Sequence, residues 1–148
     1  PKAGIEYVTL SDGGVYDNLG VNPMFRERNA LDYLIVSDAG KPFSIDERPT
    51  ESGTAVLIAA IDILMEQVRG LQFKRLELNA TAANGMRPMW FSIDSEIGEA
   101  REGDAAFASA IGTNLKKLST REMDVLQRHA GALLTHRLHT YVPELIGT

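Results

Sequence analysis

Apolar residues fall in short runs separated by breaks rich in glycine, proline and acidic residues. Ile5 to Leu10 mixes β-branched and aromatic positions and predicts a strand, closed by the turn Ser11-Asp12-Gly13-Gly14. Pro23 to Ala30 predicts a short helix. Tyr33 to Ser37 is a continuous apolar run, the pattern of a strand buried on both faces in a parallel sheet, and it too stops at an acidic turn, Asp38-Ala39-Gly40. Lys41 to Gly53 reads as a loop. A long helix is predicted over Ser52 to Gln72, where Leu57, Ile61, Leu64, Val68 and Leu71 follow one another at spacings of four, three, four and three. Apolar residues continue around most of that helix, which predicts that it is well buried.

Beyond it the pattern predicts strands at Phe73 to Leu78 and Met89 to Ile93, a loop from Asn79 to Pro88, and an exposed acidic stretch from Glu96 to Asp104. Ser119 and Glu122 have capping-box spacing and start a last helix, which Pro143 stops. Leu126, Ala130, Leu133, Arg137 and Tyr141 mark its predicted buried stripe, with Leu134 and Leu138 beside it. Strands alternating with helices imply an α/β layer fold. Three or four strands are few for a complete doubly wound sheet, and the first motif begins close to Pro1, so the 148 residues are expected to be part of a larger domain.

Composition narrows the functional classes. At 44% hydrophobic and 24% charged, the chain has the balance of a folded globular domain, not a disordered tail. A net charge of -5 without a basic cluster argues against a nucleic-acid surface and against strong attraction to anionic membranes. There is no cysteine, which removes disulfides, thiolate metal sites and thiol catalysis. The most apolar stretch, Ala55 to Met65, is too short to span a bilayer and is interrupted by Asp62. A soluble or peripheral protein is expected, with its compartment unassigned.

The segment with chemical content is Leu10-Ser11-Asp12-Gly13-Gly14-Val15-Tyr16-Asp17-Asn18-Leu19-Gly20-Val21. A carboxylate at the C-terminal end of a strand is where open α/β sheets place functional groups. The paired glycines Gly13 and Gly14 permit positive φ and close backbone approach. On spacing alone, Asp-Gly is also an ordinary turn. Asp17 and Asn18 are expected to bond the turn's backbone, and Tyr16 to be either a packed aromatic or part of an acyl pocket.

This run resembles the Asp-Gly-Gly/Ala block of patatin-like phospholipases. The likeness extends to Leu34-Ile35-Val36-Ser37-Asp38-Ala39-Gly40 and, more loosely, to the helix holding Gln67 and Arg69 and to the C-terminal helix. The resemblance implies a three-layer α/β/α sheet fold, of which residues 1–148 would be the C-terminal half. It also implies a serine–aspartate dyad in which Asp12 is the general base, Gly13 and Gly14 supporting its turn. It gives Asp38, the competing strand-end carboxylate, a supporting role. The matching serine elbow, Gly-x-Ser-x-Gly, does not occur: Ser52 and Ser109 have the wrong neighbours, and no glycine-rich oxyanion loop precedes Asp12.

The expected partners are therefore a lipid or acyl-ester substrate and an N-terminal segment of a longer parent protein carrying the nucleophile, with possible peripheral membrane contact. This chain alone is expected to be inactive. The alternative is a patatin-related module that binds lipid or protein without catalysis. No cofactor or metal is implied. His129, His136 and His139 all fall on the last helix and are expected at its solvated surface.

Overall fold

The structure, a computed structural model, describes residues 13–45, 48, 50–82, 85–112 and 116–147. The predicted strand Ile5–Leu10 and Asp12 lie outside these residues. After a one-turn helix α1 (Gly14–Asp17) and a 3-10 turn at Glu27–Asn29, where a longer helix was predicted, the chain enters β1 (Tyr33–Asp38). Helix α2 (Gly53–Ala80) crosses to β2 (Arg87–Ser92), and a short α3 (Asp104–Ser109) precedes α4 (Thr120–Tyr141). Among the described residues the sheet is two-stranded and parallel, Tyr33 standing opposite Arg87 and Asp38 opposite Ser92. Parallel neighbours require a crossover, and α2 supplies it.

β2 begins two residues before the predicted Met89, so it includes Pro88. The Arg87 and Ile93 amides bond β1, through Asp32 O and Asp38 O. With period two, the nitrogen of Pro88 points away from β1, so its missing N–H breaks no ladder bond. The side chains alternate likewise. Val36 joins Val21 and the fully buried Leu76 in a core cluster, with Leu34, Phe73 and Trp90 against it, on the α2 side. Met89 and Phe91, both buried, project from the other side of β2, against which α4 packs. Helix α4 does not reach β1, whose Ile35 and Ser37 are exposed. The expectation that Tyr33–Ser37 forms a strand buried on both faces therefore does not hold for β1 among the described residues; it is β2 that is covered on both sides.

Helix α2 differs from expectation twice. No strand forms at Phe73–Leu78: the helix runs unbroken to Ala80. Lys, Arg, Leu and Glu are good helix formers, and only the helical turn brings Leu76 onto the same face as Gln72 and into the core. Nor is the helix well buried. Val56, Leu57, Ile58, Ile63 and Leu64 are each about half exposed or more, because nothing described packs over its N-terminal half.

The start of α4 follows its sequence signal closely. Ser119 Oγ accepts from Glu122 N at 3.2 Å, and the Glu122 carboxylate accepts from Ser119 N at 2.7 Å. The helix ends at Tyr141, before Pro143. Its buried residues are Val125, His129 and Leu133; Leu133 was predicted, whereas Val125 and His129 stand in place of the predicted Leu126 and Ala130, and Ala130 is exposed. After the helix, Glu144 bonds Arg87 and the Tyr33 hydroxyl, tying the chain's end to the starts of both strands.

Candidate functional site

The turn through Asp17 and the acidic turn at Asp38 meet along one side of α2. The Gly13 carbonyl accepts from the Tyr16 and Asp17 amides, both at 3.0 Å, winding the block into α1. Gly13 has φ −60° and Gly14 is helical, so neither uses the positive φ that glycine permits. That conformation occurs at Gly20, φ +66°, where the turn reverses. Asp17 holds the reversal closed. Its Oδ1 accepts from Val21 N at 3.1 Å and its Oδ2 from Asn22 N at 2.9 Å. Gln72 Nε2, from the middle of α2, donates to the same Oδ1. Asp17 thus makes the backbone bonds expected of it, and a bond across to α2 that was not foreseen. Tyr16 is 75% exposed, so it is not a packed core aromatic among the described residues.

The second turn is fixed one helical turn earlier. Asp38, 3% exposed at the end of β1, accepts from Gly40 N at 3.0 Å through Oδ1 and from Arg69 Nε at 2.6 Å through Oδ2. Arg69 also bonds Glu66 at 3.1 Å, approaches Ser92 Oγ at the end of β2 at 3.4 Å, and lies over the Phe73 ring. Burial works to lower the guanidinium's pKa, but the bond and charge of Asp38, with Glu66, outweigh it and hold the pKa above its ordinary value. A Cβ on Gly40 would stand 3.1 Å from Asp38 Oδ1 and 3.5 Å from Asn18 Nδ2, so the two turns approach each other closely there.

A cleft of about 560 Å³ opens beside this junction, between Asn18, the loop through Lys41 and Phe43, and the α2 side chains Asp62, Glu66 and Arg69. It carries both signs of charge at the C-terminal end of the sheet, a usual position for function in α/β folds. No family model matches this chain, and comparison with curated proteins and with solved structures found no match.

Arg69 and Gln72 were not singled out as pins from sequence. The available signal was the row Asp62, Glu66, Arg69, Gln72, polar residues at helical spacing along a helix whose first half is mostly apolar. The histidines differ in environment. His129 is not at the solvated surface: it is 2% exposed, with Nε2 2.8 Å from the Ile93 carbonyl. That contact requires Nε2 to carry the proton. His136 packs on Gly98, and His139 is exposed. Asp104, expected at an exposed stretch, is 6% exposed and accepts two bonds from Arg128, both at 2.8 Å. Among the described residues no three His, Asp or Glu side chains gather to hold a metal, and no helix is long and apolar enough to cross a membrane.

Proposed function

We propose that this chain supplies the aspartate half of a serine–aspartate acyl-ester hydrolase, within a patatin-like three-layer α/β/α sheet fold. Asp12 is the general base. The serine and the oxyanion donors come from elsewhere in the full gene product. The base would take the serine proton as Oγ attacks the acyl carbonyl, and the acyl-enzyme so formed would be released by water.

The observation carrying this reading is the block Leu10–Val21, together with the work its other carboxylate does. Asp17 is committed to three N–H donors, and Asp38 to Arg69 and Gly40. Both hold turns together, and the reading assigns the chemistry to Asp12, the remaining carboxylate of the block. In this reading the cleft beside Asn18 receives part of a lipid or acyl-ester substrate.

One observation favours the non-catalytic alternative, a lipid- or protein-binding module: α2 presents a broad apolar face. The test is acyl-ester hydrolysis by the full gene product, wild type beside Asp12→Asn, with circular dichroism as the folding control. Loss of a general base lowers turnover by roughly 10²–10⁴-fold, and that drop with the fold intact is the expected result. Unchanged turnover moves the base elsewhere. An inactive wild type favours the binding module.

A further inference from the structure

Helix α2 carries a second pattern that the cleft does not use. Leu57, Leu64, Leu71 and Leu78 recur at every seventh residue, and Ile61, Val68 and Arg75 follow the first three by four. In heptad notation the leucines are d positions and the others a positions. Such a repeat drifts only about 20° per heptad on a straight helix, so these side chains form one stripe. The leucines of the stripe face outward, at 61%, 56%, 71% and 62% exposed, and Ile61 is 37% exposed; Val68, between Leu64 and Leu71, is half-buried. The residues that α2 turns to its own chain, Arg69, Gln72, Phe73 and Leu76, lie at b, e, f and b.

We propose that two copies of this chain associate through this stripe, α2 of one against α2 of the other in a two-stranded coiled coil. β-branched residues at a with leucine at d are the combination that favours two strands. Across Leu57 to Leu78 the seam is about 33 Å long at 1.5 Å per residue. Its five exposed side chains present roughly 500 Å² of apolar surface, the larger part of the ~800 Å² each partner gives to a standard interface.

The flanking e and g positions, Ile58, Ala60, Met65, Gln67, Gln72 and Lys74, hold a single charge. Self-pairing therefore brings no row of like charges together. Arg75, at the last a position, is drawn off the seam by Phe25, whose ring centroid lies 4.0 Å from the guanidinium carbon. A membrane surface fits less well, because a lipid-bound helix carries Lys and Arg along its polar face and α2 has no basic residue before Arg69. Asp62, Glu66 and Arg69, which line the cleft, lie at b, f and b, off the seam. The inference does not depend on the hydrolase reading.

The test is sedimentation equilibrium of the full-length protein with substitutions at two adjacent apolar residues. Leu64→Glu puts like charges face to face at a d layer. Ile63→Glu, at c and 47% exposed, puts a charge of the same kind one residue away, outside the seam. Like-charge juxtaposition in a buried seam is expected to weaken association at least ~100-fold. Wild type and Ile63→Glu should sediment as dimers and Leu64→Glu as a monomer, with helical circular dichroism retained in all three. Leu71→Lys, at the most exposed of the leucines, should repeat the result. A monomeric wild type overturns the proposal, as do equal effects of the two glutamates, which would mean unspecific adhesion. A monomer that sediments with phosphatidylcholine vesicles assigns the stripe to lipid and overturns it equally.

Discussion

Asp17→Asn tests the junction on which the candidate site is built. The carboxylate receives N–H groups from Val21, Asn22 and Gln72. An asparagine has one oxygen to offer. Placed at the Oδ1 position it keeps Val21 and Gln72, loses Asn22 and turns its own NH₂ toward the Asn22 amide. Placed the other way it loses two partners. The first arrangement forfeits one charge-assisted bond, about 1.5 kcal/mol at the lower end suited to a half-buried site. It also weakens the two remaining bonds, which were strengthened by the charge, by about 0.5 kcal/mol together.

The expected destabilisation is therefore about 2 kcal/mol, a fall in Tm of roughly 4–8 °C for a chain of this size. Urea unfolding followed by far-UV circular dichroism measures it. Gln72→Ala and the double variant complete a cycle whose coupling should be about 1 kcal/mol. An Asp17→Asn protein within about 0.5 kcal/mol of wild type, the range of an ordinary surface change, would refute the argument that Asp17 latches the turn to α2.

Two further outcomes follow from the structure. Gly98 has φ +64°, and a Cβ there would stand 2.5 Å from His136 Cβ, an atom that cannot swing aside; Gly98→Ala should cost about 2–4 kcal/mol, and an unchanged thermal melt would refute the packing of that loop on α4. Three carboxyl groups are held below their ordinary values: Glu122 by the backbone and hydroxyl of Ser119, Asp104 by Arg128, and Glu144 by a backbone bond and Arg87. Because their folded pKa values lie below the unfolded ones, their contribution is complete above the ordinary glutamate value of 4.5 and is lost as pH falls through the folded values. Urea midpoints should therefore fall with acidification below about pH 5, and Ser119→Ala should lower the midpoint at every pH, because the bond from Glu122 N to Ser119 Oγ does not titrate, by more near neutrality than in acid, where the hydroxyl's bond to the Glu122 carboxylate is lost as well.

What could be read from sequence is what neighbours in the chain decide. The capping box needs only Ser119 and Glu122, three residues apart, and Pro143 stops α4 by its own ring. The apolar run at Tyr33 makes a strand wherever it sits, and the backbone bonds of Asp17 reach only four and five residues ahead. The heptad of α2 was likewise legible as spacing. Burial was not legible, because it depends on which distant element arrives. Leu76 is helical and fully buried because Val21 and Val36 are there to meet it. Leu57 and Leu64, with the same side chain in the same helix, stand open because nothing described packs over them. Asp104 is inside because Arg128 gives both its carboxylate oxygens a partner, and the Ile93 carbonyl does the same for Nε2 of His129; a partner offsets much of the cost of burying a polar atom. The joining of the two acidic turns through Gln72 and Arg69 is of the same kind. Local chemistry made each turn, and the packing of α2 brought them to one cleft.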